Sequence, residues 1–129
     1  MRRFMNVHPV TVPDSITVAQ LVEDYIYKYH HKMFPVMAGE KLAGYITTRQ
    51  VKDIPREAWD RETIREAASP CSEENTISPA TDAIKALAMM TQSGLSRLMV
   101  VENGRLVGLV SLKDLLDFFS LKVELEEQN

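Results

Sequence analysis

The chain has 129 residues, of which 45% are hydrophobic and 26% charged, and a formal net charge of −3. These values fit one compact domain, or two half-domains sharing a core, and exclude collagen-like and disordered chains. Lys and Arg are scattered rather than gathered into a stripe, so no nucleic-acid partner is expected.

Val10-Thr11-Val12-Pro13-Asp14-Ser15 is a β-branched run stopped by a Pro-Asp turn, which predicts a short strand. Thr17 and Gln20 read as a capping box, and Val18, Leu21, Val22, Ile26 and Tyr29 follow at helical spacing. Adjacent His30-His31 face different sides of the helix end, with no Cys or carboxylate at a matching interval, so no metal site is expected there. Apolar runs at 33–37 and 42–46 flank a polar turn at 38–41 and predict a β-hairpin; a helical pattern then runs over 48–54 until Pro55. Residues 56–75 are polar and read as a linker, with Trp59 as its large anchor and a helical turn at 64–68.

A second set of elements follows. Thr76-Ile77-Ser78-Pro79 is a short strand, Asp82 an N-cap, and Ala83, Ala86, Leu87 and Met90 the apolar face of a helix that Gly94 ends. Strands at 97–101 and 106–110 are joined through Asn103-Gly104, a turn signal because both residues tolerate positive φ. The last helix, from Leu112, carries Leu115, Leu116, Phe119 and Val123 on one face, with Phe118, Leu121 and Leu125 on its shoulder. That apolar face is wider than one small repeat needs, which predicts a homodimer.

The two sets are copies. Residues 34–47 align with 98–111 without a gap, pairing Val36 with Val100, Leu42 with Leu106 and Gly44 with Gly108 at a constant offset of 64. Upstream, Thr17 pairs with Asp82 at an offset of 65, so one residue is gained or lost before the hairpins. Gly44 and Gly108 are expected to mark close approach of a neighbouring backbone. The organisation expected is a first repeat at 1–55, a linker at 56–75 and a second repeat at 76–129.

These residues resemble a tandem pair of cystathionine-β-synthase-type (CBS) domains, the Bateman module. The resemblance rests on strand, turn, helix, and a hairpin ending in Gly44-Tyr45-Ile46-Thr47 and again in Gly108-Leu109-Val110-Ser111, followed by a helix. It implies an α/β (α+β) fold of two β-α-β-β-α repeats related by pseudo-two-fold symmetry, each with a three-stranded sheet and two helices. It also implies a regulatory module that binds an adenosine-type ligand in a cleft between the repeats. Such a module acts on an attached or partner effector; AMP, ATP and S-adenosylmethionine are the candidate ligands, and no cofactor is required. Glu23-Asp24-Tyr25, the segment 51–59 and the ending 119–126 are similar to CBS pairs fused to site-2 zinc metalloproteases.

Carried over residue by residue, the resemblance places Ile77 and Ser78 beside the base, Ser111 at the ribose or phosphate and Asp114 on the ribose hydroxyls, with Arg97 and Lys113 offsetting phosphate charge. Ser111 and Asp114 equally suit a plain helix N-terminus, where a hydroxyl caps and a carboxylate complements the dipole. Val12, Thr47, Thr48 and Gln50 are the first-repeat candidates. Gln50 stands where the second repeat has Asp114 and brings no charge, so one competent site at most is expected. The alternative is a structural homodimerisation module without ligand.

No nucleophile–base pair emerges, the His-Glu-x-x-His motif is absent, and Cys71 lies between Pro70 and Ser72 with no base at hand, so no catalysis is expected. No apolar run approaches the roughly 18 residues of a membrane span, and Met1-Arg2-Arg3-Phe4 leads into no signal-peptide stretch. The expectation is therefore a cytoplasmic module, or the cytoplasmic portion of a membrane protein, without direct membrane insertion.

Overall fold

A computed structural model describes residues 4–126. Met1-Arg2-Arg3 and the last three residues of the second repeat, 127–129, lie outside the described residues. Contacts divide the chain into a first unit, Pro9–Cys71, and a second unit made of Ser72–Asn129 with the N-terminal arm Met1–His8.

In the first unit, β1 (Val12–Pro13) runs parallel to β2 (Met33–Ala38), which pairs antiparallel with β3 (Lys41–Thr47). The first helix opens at α1 (Val18–Leu21), where Thr17 and Gln20 form the expected capping box. It continues through a π turn at Val22–Ile26 into α2 (Tyr27–Tyr29) and ends at His30, whose φ of 61° is left-handed. After β3 come α3 (Thr48–Lys52), a 3₁₀ turn at Arg56–Ala58, α4 (Ile64–Ala67) and β4 (Ser69–Pro70).

The second unit repeats this order. β5 (Thr76–Ile77) is parallel to β6 (Arg97–Glu102), which pairs antiparallel with β7 (Arg105–Ser111) through Asn103 and Gly104, both at positive φ. α5 (Ala83–Ser93) is capped by Asp82 and ended by Gly94 at φ 75°; α6 (Leu112–Glu126) follows β7. Even the register irregularities match, between Val36 and Met37 and between Val100 and Val101.

The one-residue shift has a structural seat. The helix N-caps, Thr17 and Asp82, are 65 apart, whereas the left-handed residues that end the helices, His30 and Gly94, are 64 apart. The extra residue of the first repeat therefore lies inside its helix. A π turn, with the Tyr27 N–H donating to the Val22 carbonyl five residues back, is how a helix absorbs one inserted residue without losing its phase at either end.

Each unit has its own core. Val12, Leu21, Phe34, Val36, Ile46, Val51 and Ile64 are buried in the first; Ala86, Met90, Leu98, Val100, Val110 and Leu115 are buried in the second. The segment read as a linker over 56–75 packs, through residue 71, as part of the first unit. Ile64, the first residue of α4, is fully buried there, and its N–H donates to the Ile16 carbonyl at 2.8 Å. Trp59 anchors the same stretch: its ring packs on the core and its indole N–H donates to the Ile54 carbonyl at 3.0 Å.

The arm at 4–8, counted with the first repeat in the sequence reading, packs on the second unit. The Asn6 N–H donates to the Leu109 carbonyl at 2.8 Å and the Leu109 N–H to the Asn6 carbonyl at 3.0 Å. The arm thus takes the edge of β7, as β4 takes the edge of β3, where Gly44 pairs with Pro70 and Tyr45 with Ser69. Both strand glycines exist for this approach: a Cβ on Gly44 would strike the Ser69 carbonyl, and one on Gly108 would meet the Met5 sulfur and the Asn6 carbonyl. The first sheet accordingly has four strands rather than the three the resemblance implies.

Candidate functional site

In each unit the hairpin delivers a hydroxyl residue to the start of the following helix, and there the two copies part. In the first unit the Gln50 N–H donates to Thr47 Oγ1 at 3.3 Å, while Gln50 Oε1 accepts from the Thr47 N–H at 2.8 Å and from its hydroxyl at 3.0 Å. The box is closed. The other end of the amide is also engaged, since Nε2 donates to the Ala67 carbonyl at 3.2 Å and to Ser69 Oγ at 2.9 Å. Gln50 is therefore a fastener between α3 and the β4 segment. Val12 is fully buried in the core and offers no side chain to a ligand, and Thr48 lines a different groove from the one below.

In the second unit Ser111 Oγ accepts from the Asp114 N–H at 3.1 Å, so Ser111 acts as the helix cap. Asp is one methylene shorter than Gln or Glu, and its carboxylate does not close the box. Among the described residues that carboxylate accepts no hydrogen bond. It opens instead into a groove of about 400 Å³, lined also by Phe4, Met5, Asn6, Asp117, Phe118 and Leu121. The groove has an aromatic wall, where the Phe4 and Phe118 rings lie 4.4 Å apart.

The other candidates are dispersed. Arg97 faces Ser111 across the β6–β7 ladder, and its guanidinium donates to Ser96 Oγ at 3.3 Å. Met33 holds the same position in the first hairpin, opposite Thr47. Lys113 pairs with Asp117 one turn along at 3.0 Å, and that hydrogen bond, with the charges of Asp117 and then Asp114, raises its pKa. Ile77 is buried in the core, and Ser78 is used in a turn, its hydroxyl accepting from the Ala80 N–H at 3.1 Å. Both stand at β5, across β6 from β7, and neither lines the groove at Asp114. Burial pushes the Cys71 thiol pKa up, which disfavours the thiolate a nucleophile needs.

Phe4, Met5 and Asn6 were not singled out from sequence, because the arm has no periodicity to read. The available signal was Gly108, a strand glycine that announces a second backbone without naming it.

No helix among the described residues is long and apolar enough to cross a membrane. The chain is 26% identical over 122 residues to Rip3, named as a zinc metalloprotease, of Mycobacterium tuberculosis strains Erdman and H37Rv; the match takes in 91% of this chain. The chain spans about a third (31%) of the length of these curated relatives. Among solved structures it resembles the CBS domain of a bacterial CNNM/CorC family Mg2+ transporter in complex with ATP. That likeness has a TM-score of 0.77 and 21% identity, over 90% of this chain and 83% of the other. It also resembles the cytosolic domain of the Mg2+ channel MgtE in complex with ATP, with a TM-score of 0.74 and 23% identity, over 89% and 46% of the two chains. These likenesses show the fold. The model of the CBS domain matches residues 1–57 and again 62–121, and the chain belongs to that family as a tandem pair.

Proposed function

We propose that this CBS pair is a non-catalytic regulatory module whose second repeat binds the adenosine part of a nucleotide at Asp114 and thereby biases an attached or partner effector. The observation that carries the reading is the open carboxylate of Asp114 beside an aromatic and aliphatic wall, which is the pairing a ribose and a purine require. The ATP complexes named for the similar transporter and channel domains support the ligand class, and Rip3 supports a zinc metalloprotease as the effector. The setting would then be cytoplasmic. In the first repeat the engaged amide of Gln50 argues against an equal site.

The groove's described lining carries two carboxylates, Asp114 and Asp117, and no cationic side chain. It therefore favours the nucleoside end of a ligand over its polyphosphate, so S-adenosylmethionine or AMP should bind more tightly than metal-free ATP. Titration calorimetry with the three compounds tests this. One site per chain, lost in Asp114→Ala, is expected; two equal sites, or affinity unchanged in Asp114→Ala, would refute it.

A second reading, homodimerisation, has its own support. Leu116, Leu121, Val123 and Leu125 of α6 are 50%, 58%, 56% and 70% exposed, an apolar surface a solvated helix does not need. It is compatible with ligand binding, and sedimentation of the chain at tens of micromolar tests it.

A further inference from the structure

Two features take no part in the site around Asp114, the π turn with Glu23-Asp24-Tyr25 and the segment 51–59; a third, the end of α6, touches it only through Leu121. The first two meet. They line a groove of about 530 Å³ in the first unit. Its apolar floor is Val22 and Ile26, the first and last residues of the π turn, with Val51, Ile54 and Trp59. Its exposed rim carries two cations, Lys52 and Arg56, against one carboxylate, Asp53, and the Arg56 guanidinium lies 5.3 Å from the centre of the Trp59 ring. The inserted residue that makes the π turn is peculiar to the first repeat, and so is this groove among the grooves described.

The third feature has the opposite character. Over residues 121–126 every side chain of α6 is exposed, and three of the six are large and apolar. Leu121 and Leu125 are one turn apart on one face, with Glu124 on its flank at the negative end of the helix dipole. Nothing in the second unit's core reaches this far; the last fully buried residue of the helix is Leu115.

We propose that the groove of the first unit seats the end of α6 from a second copy of the chain, with Leu121 and Leu125 on the Val22–Ile26–Trp59 floor and Glu124 facing Lys52 and Arg56. The contact is the helix-in-groove mode, in which apolar anchors one turn apart supply the affinity and rim charges set the orientation. It rests on the homodimer reading above and gives it an address. The contact joins unlike surfaces of two copies of the chain. It also places the last turns of α6, the helix that carries Asp114, against the partner, so that ligand and dimer act on one helix.

The test is sedimentation equilibrium on the full chain, with thermal melts as the folding control. Leu121→Asp with Leu125→Asp lies on an exposed helix end, so the fold should survive while dimer affinity falls by about 30-fold or more. Lys52→Glu with Arg56→Glu should weaken the dimer by about fivefold, and adding Glu124→Arg should recover part of that loss. A dimer insensitive to the groove and helix-end changes would overturn this contact and leave the homodimer reading standing. A wild-type monomer would overturn both, and groove variants that weaken the dimer without rescue by Glu124→Arg would overturn the charge pairing assigned here.

Discussion

The two repeats share one hairpin, one bulge and one capping geometry, yet they use the third helical residue in opposite ways. In the first, Gln50 closes its capping box and ties α3 to Ala67 and Ser69, so its polar atoms are consumed by the fold. In the second, Asp114 gives only its backbone N–H to Ser111 and turns its carboxylate into a groove. The difference is one methylene and one charge. It teaches that a copied fold can keep its backbone while the same helical position becomes a fastener in one copy and stays open in the other.

The comparison breaks most sharply at the paired glycines. A Cβ at position 44 would collide with the Ser69 backbone carbonyl, which is held in a sheet; at position 108 its nearest neighbours would be the Met5 sulfur at 2.7 Å, in a flexible side chain, and the Asn6 carbonyl at 3.0 Å, at the edge of tolerable contact. Gly44→Ala should therefore cost about 3 kcal/mol, since overpacking against backbone has no cheap relief, and Gly108→Ala about 1 kcal/mol. Urea unfolding of the two variants measures both. Equal losses would mean that the arm is held as rigidly as β4.

Exchanging the roles at the helix N-termini gives the next largest effect. Gln50→Ala removes the side-chain half of a capping box and two donors, and should cost about 2 kcal/mol of stability while leaving nucleotide affinity unchanged. Asp114→Asn should do the reverse, holding the melting temperature within a degree or so while lowering affinity about tenfold through loss of a charge-assisted hydrogen bond. Calorimetric titration and thermal melts on the same two variants read both halves. Loss of binding in Gln50→Ala would make the first repeat a participant in the site.

Much of this was legible in the chain. The gapless copy at an offset of 64, the capping boxes, Asn103-Gly104 and Gly94 are local signals, and local chemistry fixes them. The offset of 65 at the helix N-caps was visible too, but whether the extra residue makes a loop or a π turn depends on where the sheet holds the helix, which no local pattern states. What sequence hid was long-range. The arm at 4–8 and the stretch at 56–71 have little periodicity, and their places are set by a free strand edge and by one buried aliphatic residue, Ile64. The resemblance places Ile77 and Ser78 at the ligand; β5 and β7 stand at opposite sides of β6, so these two residues do not share the groove at Asp114, a fact of sheet order.

The smallest effect separates the repeats by pH. The Asp14 carboxylate accepts from Arg65 Nε at 2.9 Å, and that hydrogen bond and the guanidinium charge hold its pKa below the ordinary 3.8 against the opposing pull of partial burial. A carboxylate depressed on folding stabilises the native state above its unfolded value and loses that contribution as pH falls from 3.8 toward the folded value. Arg65 is largely exposed, so solvent screens the pair and the effect is modest. The second repeat has Pro79 at the matching position, 65 residues on, which does not titrate. Acid should therefore loosen the first unit through this pair while leaving its counterpart untouched. Amide exchange on either side of pH 3.8 should show lost protection around β1 and α4, and Arg65→Ala should remove the part of that loss due to Asp14. Equal loss of protection around β5 would mean that acid acts on the fold as a whole and not through this ion pair.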